Sequence, residues 1–410
     1  MSTTTDATTA TGPRPPSRGA PHLDEAQLDA LAVELDAIRR REMADRGEAD
    51  AAYIRRVATV ATALQLGGRV AIALGRRRPR WWGGVLAATA GRVIEAMEIG
   101  HNVLHGQYDW MRDPRFDSST YEWNMTAPSD QWQHAHNVVH HVNANVAGID
   151  RDLGYGVVRI TDDEPWRPAH LANPLAALLL AALFDQAIGF YDLEAERQAL
   201  GLVDPDEARA KFEASMAKLR RQAARDFVLT PLLAGRAAPR ALAGSLTTQL
   251  LGNLWGFAVI FCGHFPDGTV VFRPEDLDGE TRGRWYVRQL RGAANIRGSF
   301  PFHVLTGNLS HQIEHHLFPD VPARRYRHIA PEVQAVCRRY GLPYNSRRFG
   351  RQFGSVAVRI VRLSLPGRPR SGLRRRRGGH GERPPRVRPG WPPRRRVRRP
   401  GAAGTRGARR

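Results

Sequence analysis

Histidines are grouped in this 410-residue chain, and their grouping restricts the possible folds more than any other feature. Nine of the 15 histidines lie in three short segments, 101–105, 134–141 and 311–316. Each segment contains two histidines four residues apart, a spacing that places two imidazoles on one face of a helix with Cβ atoms about 5–6 Å apart. Imidazole is a ligand for iron, zinc, copper and nickel. The sequence therefore predicts a fold that brings three distant helical segments together around a metal centre.

The number of imidazoles favours two metal ions over one. One zinc ion needs about four ligands, whereas the three segments offer eight or nine imidazoles. Soluble di-iron bundles use Glu and Glu-x-x-His units, and Glu98-Ile-Gly-His101 is the only such unit that leads into a histidine segment. The metalloprotease motif His-Glu-x-x-His is absent from the sequence. These patterns indicate a histidine-rich site for two metals.

Four apolar stretches indicate contact with a membrane. Residues 171–191 and 242–265 are long enough to cross a bilayer. Charged and polar residues interrupt the other two, 57–74 and 81–97, so neither reads as a clean span. Ahead of them, 24–46 has the periodicity and charge order of an amphipathic surface helix. A mean hydropathy of −0.43 gives no sign of these stretches.

Two membrane topologies are open, because the histidine segments must meet on one side of the bilayer. If 171–191 crosses, 242–265 crosses back and the charged segment 192–225 lies on the opposite side. If 171–191 lies in the interface, 227–265 forms a broken hairpin and the charged segment stays with the histidines. Its arginines favour the second topology, although the Arg-rich loop at 76–80 then conflicts with the positive-inside rule.

The strong positive charge belongs mostly to the C-terminus. Residues 365–410 contain 17 arginines and one acid, which is +16 of the total +21 and leaves +5 for residues 1–364. Such an Arg, Pro and Gly composition predicts a disordered, weakly constrained extension rather than a folded binding domain. The charge of the tail is therefore not taken as a sign of nucleic-acid binding, and nucleic acid is not an expected partner. The two cysteines, Cys262 and Cys337, exclude a disulfide framework and an iron–sulfur cluster. We expect an N-terminal extension with an amphipathic helix (1–50), a membrane domain (51–362) and a tail (363–410).

From about Trp81 to Gly341 the chain resembles the membrane-bound fatty acid desaturases, which carry three histidine boxes. The matching motifs are His-Asn-Val-Leu-His, His-Asn-Val-Val-His-His and Gln-Ile-Glu-His-His-Leu-Phe-Pro, in the family's order and with similar spacing. The resemblance implies an all-α fold, an integral membrane helical bundle with a cytosolic helical cap, in which eight or nine histidines hold two non-haem Fe²⁺ ions. It also implies a multi-pass protein of the inner cell membrane with its metal site on the cytoplasmic side.

The same resemblance implies a set of ligands. His264 ends the fourth apolar stretch, where the family has a further histidine ligand. The third box begins with Gln312 where many relatives have histidine, so either His311 completes the box or Gln312 acts as a weak ligand or a partner of one. Acidic residues are expected to orient the ligands. The implied ligands are His101, His105, His136, His140, His141, His264, His311, His315 and His316, and the expected orienting groups are Gln312, Glu98, Asp150, Asp152 and Glu314.

The function implied is O₂-dependent insertion of a cis double bond into a fatty acyl chain. Acyl-lipid, acyl-CoA and acyl-carrier protein substrates are all open. The sequence has neither a fused cytochrome motif nor a cysteine cluster, so electrons must come from another protein, a ferredoxin or a reductase. A hydroxylase of the same superfamily and, less favoured, a membrane zinc hydrolase are the alternatives. Aromatic side chains that could line an acyl tunnel are Trp110, Trp123, Trp132, Tyr155 and Trp255.

Overall fold

The computed structural model describes residues 17–190, 192 and 203–367, so most of the predicted tail lies outside the described residues. Helices predominate in them, as predicted. Two strands add a short parallel sheet that the all-α expectation did not include, with Asn295 paired to Ser346. The helices are α1 (Glu25–Ala44), α2 (Glu48–Leu74), α3 (Arg78–Val93), α4 (Asn102–Leu104), α5 (Ser129–Gln133), α6 (Asn173–Ala182), α7 (Phe184–Gly189), α8 (Pro205–Ala223), α9 (Thr230–Leu233), α10 (Ala238–His264), α11 (Arg282–Gly292), α12 (Phe300–Leu305), α13 (Gln312–Leu317), α14 (Tyr326–Arg339) and α15 (Phe349–Ser364); the strands are β1 (Asn295–Arg297) and β2 (Ser346–Arg348).

In the described residues, three π-helical segments continue α-helices. They are Ile94–His101 after α3, His134–His140 after α5 and Ala224–Leu229 after α8. A π-helix closes its hydrogen bonds five residues apart and is frequent at functional sites. The first segment ends at His101, and the second contains His134, His136 and His140.

A hairpin of α2 and α3 depends on glycines. Gly68 faces the backbone of Gly84 and Ala88, and a Cβ atom at Gly68 would lie only 2.5 Å from the Ala88 nitrogen. By length and composition, Glu48–Leu74 is one of two helices in the described chain that could cross a membrane. The polar residues within 57–74 did not indicate a clean span, but the helix extends upstream to Glu48 and so is longer than that stretch.

The second long apolar helix is α10, which runs from Ala238 to His264 as the fourth apolar stretch predicted. Its first turn meets the loop of the α2–α3 hairpin: Trp81 Nε1 donates to the Arg240 carbonyl oxygen and Arg240 donates to that of Ala73, each at 3.3 Å. The chain arrives along α8, the π-helical segment Ala224–Leu229 and α9, and it turns at Gly235. The π-helical segment and α9 pack back against α10. On which side of a membrane the charged segment 192–225 lies stays a prediction.

The prediction that 171–191 could cross a bilayer is wrong for the residues described. The stretch forms two short helices, α6 and α7, because the backbone leaves helical geometry at Leu183 (φ −115°, ψ 27°). The longer of them has ten residues, about 15 Å of helix, whereas the hydrocarbon core of a bilayer is about 30 Å thick. Tyr191 lies outside the described residues.

Helix α1 packs its predicted apolar face onto the rest of the protein. Leu28, Leu31, Leu35 and Ile38 are buried, as their spacing indicated, in one hydrophobic core with residues of α11, α13 and α14. The helix therefore closes the core behind the third histidine cluster. A second core joins α6, α10 and α15 through residues such as Phe261.

Candidate metal centre and adjoining cavity

The second histidine cluster owes its geometry to its π-helix. The amide of His141 donates to the carbonyl oxygen of His136 at 2.9 Å, a bond that spans five residues. In the first cluster the corresponding bond, from His105 to His101, spans four residues. The prediction of an α-helical spacing therefore holds for the first cluster, whereas the wider turn of the second changes which of its imidazoles share a face.

The third cluster and His264 come together where α10 ends against α13. Gly307 and Asn308 have positive φ angles of 64° and 55°, which turn the chain just before the cluster. On the other side, Gly263 lets α10 approach closely, because a Cβ atom there would lie 2.9 Å from Cγ of Gln312. His264, the last residue of α10, is thereby brought beside the third cluster.

Seven imidazoles form two groups in which the ligating nitrogens all lie within 4.8 Å of one another. The first group contains His101, His105, His136 and His315, and the second contains His140, His264 and His316. His141 lies between the groups: its Nε2 is 3.1 Å from Nε2 of His315, and its ring stacks on His316 with centroids 4.6 Å apart. None of these eight side chains is more than 9% exposed.

The donor atoms suit transition-metal ions. Buried nitrogens of six of these residues find no hydrogen-bond partner among the described residues: Nε2 of His105, His136, His140 and His316, and Nδ1 of His141 and His264. Burial, followed by the nearby imidazoles, holds the pKa of His136, His141, His315 and His316 well below its usual value. The neutral imidazole is the form that binds a metal. Two neighbouring groups of this kind fit two ions.

Two of the four predicted acids contact these imidazoles. Asp150 Oδ1 is 2.9 Å from Nδ1 of His140, and Asp152 Oδ2 lies 3.6 Å from the same atom and 3.9 Å from Nδ1 of His136. Burial lowers the pKa of His140, but the two carboxylates outweigh it and raise this pKa to about 9. A carboxylate on the second ring nitrogen of a ligand fixes its tautomer and orientation.

The other two predicted acids make different contacts. Glu98 accepts hydrogen bonds from Tyr53 and Asn308, both at 2.8 Å. Glu314 accepts from Asn295 and Tyr344, also at 2.8 Å. Both carboxylates therefore brace the helices and loops around the histidines, and their hydrogen bonds do not go to the two imidazole groups.

Sequence reasoning missed two partners of the imidazoles. Gln289 in α11 makes two hydrogen bonds with the histidine residues. Its Oε1 is 2.9 Å from Nδ1 of His316, and its Nε2 donates to the His141 carbonyl oxygen at 3.0 Å. The hydroxyl of Tyr326 lies 3.5 Å from Nδ1 of His315. Neither residue lies in a motif, so only the tertiary packing of α11 and α14 reveals them.

The structure separates the two alternatives for the third box. Nε2 of Gln312 is 3.0 Å from Nε2 of His264, which places Gln312 at the edge of the second group. His311 instead stacks on His303, with ring centroids 4.5 Å apart, and belongs to neither group. His134 also points elsewhere, with Nδ1 3.0 Å from Asp192.

A partly enclosed cavity adjoins the imidazoles. His101, His136 and His264 border one part of it, and its walls are largely apolar. Of the aromatic residues proposed for a tunnel, Trp123, Trp132 and Tyr155 line it, whereas Trp110 and Trp255 do not. An apolar cavity that reaches buried metal ligands can hold a long hydrocarbon chain against a metal centre.

This combination of helices, histidine groups and apolar cavity agrees with the family to which the sequence compares. The profile of the fatty acid desaturase family matches residues 79–348, which include all three histidine clusters and His264. The chain belongs to the fatty acid desaturase family and is an oxidoreductase.

Among individual proteins, the chain is 42% identical over 349 residues to the NADPH-dependent stearoyl-CoA 9-desaturase of Mycobacterium tuberculosis, across 84% of this chain and 82% of that relative. Its identity to the sn-1 linoleoyl-lipid 6-desaturase of Synechocystis is 23% over 262 residues, across 61% and 70% of the two chains. Its identity to the acyl-lipid (8-3)-desaturase of Physcomitrium patens is 28% over 276 residues, across 64% and 55%.

Proposed function

We propose that the protein introduces a cis double bond into a fatty acyl chain with O₂ and two non-haem Fe²⁺ ions. The observation that carries this proposal is the apolar cavity bordered by buried imidazoles of both groups. The first ion would be held by His101, His105, His136 and His315, and the second by His140, His264 and His316. His141 would complete the site between them, and Gln312 would support His264.

When bound, the iron pair supplies the activation of O₂ that removal of hydrogen from unactivated methylene groups requires, which no side chain can provide. The chain's own residues position the reactants. The aromatic walls formed by Trp123, Trp132 and Tyr155 hold the acyl chain beside the imidazoles and exclude water. Asp150 and Gln289 keep His140 and His316 in a fixed orientation.

A long-chain acyl-CoA is the substrate that we propose. The support is the 42% identity to a relative named a stearoyl-CoA 9-desaturase, which extends over most of both chains. The acyl-lipid desaturases compared above cover less of this chain. Acyl-lipid and acyl-carrier protein substrates are tested as competitors, and by the same likeness we propose the ninth carbon as the site of the new double bond.

The reaction needs an external electron donor. Reduction of O₂ to two waters takes four electrons, and the acyl chain gives up two of them, so a donor must supply two more per double bond. We propose a ferredoxin or an NADPH-dependent reductase, since the relative from M. tuberculosis is named NADPH-dependent.

We further propose that the protein is a multi-pass protein of the inner cell membrane with the iron site on the cytoplasmic side. Helices α2 and α10 are long and apolar enough to cross a bilayer. Helix α2 would run from the histidine side to the distant loop where Trp81 meets Arg240, and α10 would run back from that loop to His264. The histidines would then form part of a helical cap outside the lipid.

The experiment is metal analysis combined with product analysis. Purified protein should contain two irons per chain. With stearoyl-CoA, O₂ and a reducing system it should give a product two mass units lighter, with a cis double bond at the ninth carbon. A hydroxylated product would replace this proposal by a hydroxylase, and a single zinc with O₂-independent hydrolysis would replace it by a zinc hydrolase. If the protein desaturates acyl-lipid or acyl-carrier protein substrates but not stearoyl-CoA, the proposal of an acyl-CoA substrate is wrong.

A further inference from the structure

A buried ion pair lines the cavity at a distance from the histidines. Arg92 of α3 and Asp185 of α7 both line it, with Nη2 and Oδ2 2.7 Å apart. Their side chains are only 12% and 4% exposed. Arg92 precedes His101 by nine residues of continuous helix, about 13 Å, which places this end of the cavity away from that histidine. Charged groups are rare beside an apolar acyl cavity, because an unpaired buried charge costs several kcal/mol. The presence of this pair beside an apolar cavity therefore needs a reason, and its neighbours indicate one.

The polar groups at this end already have partners within the protein. Asp185 also accepts hydrogen bonds from the Thr126 amide at 2.7 Å and from Gln249 Nε2 at 3.3 Å. Asn253, which lines the same end, donates to the Ala182 carbonyl oxygen at 2.7 Å. Since these groups are satisfied, they do not need a polar group of a ligand. This end is built as a wall, and a hydrocarbon chain would meet charges there that it cannot displace.

A second, polar pocket lies behind the wall. Arg92 lines both the cavity and this pocket, whereas Arg69 and Asp226 line only the pocket. Arg69 Nη2 lies 2.8 Å from Asp226 Oδ1, and Arg92 Nη1 lies 3.7 Å from Asp226 Oδ2. The side chain of Arg92 thus separates the acyl cavity from further space within the helices.

We propose that the Arg92–Asp185 ion pair is the end wall of the acyl cavity and sets the longest acyl chain that the enzyme accepts. This inference rests on the proposed function, because it requires an acyl chain whose reacting carbons lie at the histidines. A longer chain would have to push its methyl end between Arg92 and Asp185 and separate two buried opposite charges. The penalty acts on length and leaves the position of the reacting carbons unchanged.

The experiment compares a double variant with a control. Arg92→Ala with Asp185→Ala removes both charges of the wall, which joins the cavity to the second pocket. Arg69→Ala is the control, since Arg69 lines the pocket alone and its removal leaves Asp226 paired with Arg225 at 2.8 Å. Initial rates are measured for saturated acyl-CoAs from 14 to about 24 carbons, and folding is followed by size-exclusion chromatography and thermal unfolding in detergent.

We expect the double variant to raise kcat/KM for chains two to four carbons longer than the optimum, relative to the optimum, by about 10-fold or more. The control should keep the wild-type profile. If the dependence of kcat/KM on chain length is unchanged in the double variant, or shifts equally in both, the Arg92–Asp185 pair is not the end wall. Desaturation of no acyl chain by the wild type would instead refute the proposed function.

A third variant keeps the test decisive if the wall variant does not fold. Gly252 faces the same end, and a Cβ atom there would lie 3.6 Å from Arg92 Cδ, an ordinary contact distance. Gly252→Val adds volume in front of the wall and should move the preferred chain length down by one or two carbons. Retention of the wild-type preference in a folded Gly252→Val protein would contradict the inference.

Discussion

Each of two imidazoles is held through its second ring nitrogen by a residue that would not touch the metal. Asp150 bonds Nδ1 of His140, and Gln289 bonds Nδ1 of His316. In both residues Nε2 is left without a hydrogen-bond partner within the described chain. The free nitrogen is therefore the one aimed at the proposed iron, and the partner of the other nitrogen determines that direction.

The role of Asp150 is testable by removing its charge. Asp150→Asn should weaken iron binding about 10–100-fold, because loss of such a partner lowers the basicity and fixed orientation of the ligand. Iron retention is measured against a competing chelator. Asp162→Asn is the control, since the Asp162 side chain is half exposed and its ion pair among the described residues is with Arg362, itself 63% exposed. Equal iron affinity in wild type and Asp150→Asn would show that Asp150 does not position His140.

A second test at this scale concerns the third histidine cluster. His315 lies within the first imidazole group, whereas His311 stacks on His303 outside both groups. His311→Ala should therefore keep two irons per chain, and His315→Ala should lose at least one, as measured by metal analysis of purified protein. Loss of iron in His311→Ala with retention in His315→Ala would reverse the assignment.

At the residue scale, the sequence indicates which histidines lie together in the structure, because they recur at short spacings within each cluster. Eight of the nine implied ligands lie together in the structure, and His311 does not. Partners such as Gln289 were not predictable, because it lies 27 residues before His316 and meets it only through the packing of α11 against α13.

At the scale of elements, the α2–α3 hairpin depends on backbone contact between its helices. A Cβ atom at Gly68 would lie 2.5 Å from the Ala88 nitrogen, and one at Gly91 would lie 2.6 Å from the Ala61 carbonyl oxygen. Since backbone atoms cannot rotate away as a side chain can, any larger residue must push the helices apart. Close helix contact through small residues is a common packing mode in membranes.

Gly68→Ala should destabilise the protein by about 1–3 kcal/mol through this overpacking. The measurement is thermal unfolding in detergent, where the midpoint should fall. Gly67→Ala is a matched control on the adjacent residue, because a Cβ atom there would meet nothing within 4 Å and alanine is the better helix former. A midpoint unchanged in Gly68→Ala, or lowered equally in both variants, would contradict the close packing.

Some helices were predicted correctly from the sequence and others were not. The periodicity of α1 identified its buried residues, and the uniform apolar character of α10 identified a long helix. The stretch 171–191 misled because composition does not show where a backbone leaves helical geometry, as it does at Leu183. The π-helical turns were not predicted either, because the second cluster has the same four-residue histidine spacing as the first, yet its bond from His141 to His136 spans five residues.

At the scale of the whole molecule, most of the positive charge follows the described helices in the sequence. Residues 1–364 carry a net charge of +5, and the remaining +16 follows them in the sequence. Helix α15 ends at Ser364 and buries Val356 and Ile360 in a core with α6 and α10. The contacts of the proposed active site therefore lie before the Arg-rich segment.

A chain that stops after Gly367 should keep its iron content and its desaturase activity within about twofold, because the residues of the proposed site and the contacts described for them all lie before residue 368. The full-length protein, assayed in the same detergent or lipid, is the reference. A large loss of activity with normal iron content would assign residues 368–410 a part in the reaction.

Orientation in the membrane is the last prediction. Arg77 is exposed in the loop of the α2–α3 hairpin, and Arg209 is exposed near the start of α8. Helix α8 packs on the histidine side, where Gln131 donates to the Lys211 carbonyl oxygen at 3.2 Å. Both native cysteines are buried, and burial raises the pKa of the Cys337 thiol to about 12, so the parent protein gives a low background with a membrane-impermeant maleimide.

In intact cells, Arg77→Cys should be labelled and Arg209→Cys should be labelled only after lysis, because α2 and α10 would place the two positions on opposite sides with the histidines inside. The reverse pattern would place the iron site outside. Labelling of both positions before lysis would mean that these helices do not separate them across the bilayer. The expected result also puts the arginines of 76–80 outside, against the positive-inside rule, so that the close packing of α2, α3 and α10 must outweigh the charge of that loop.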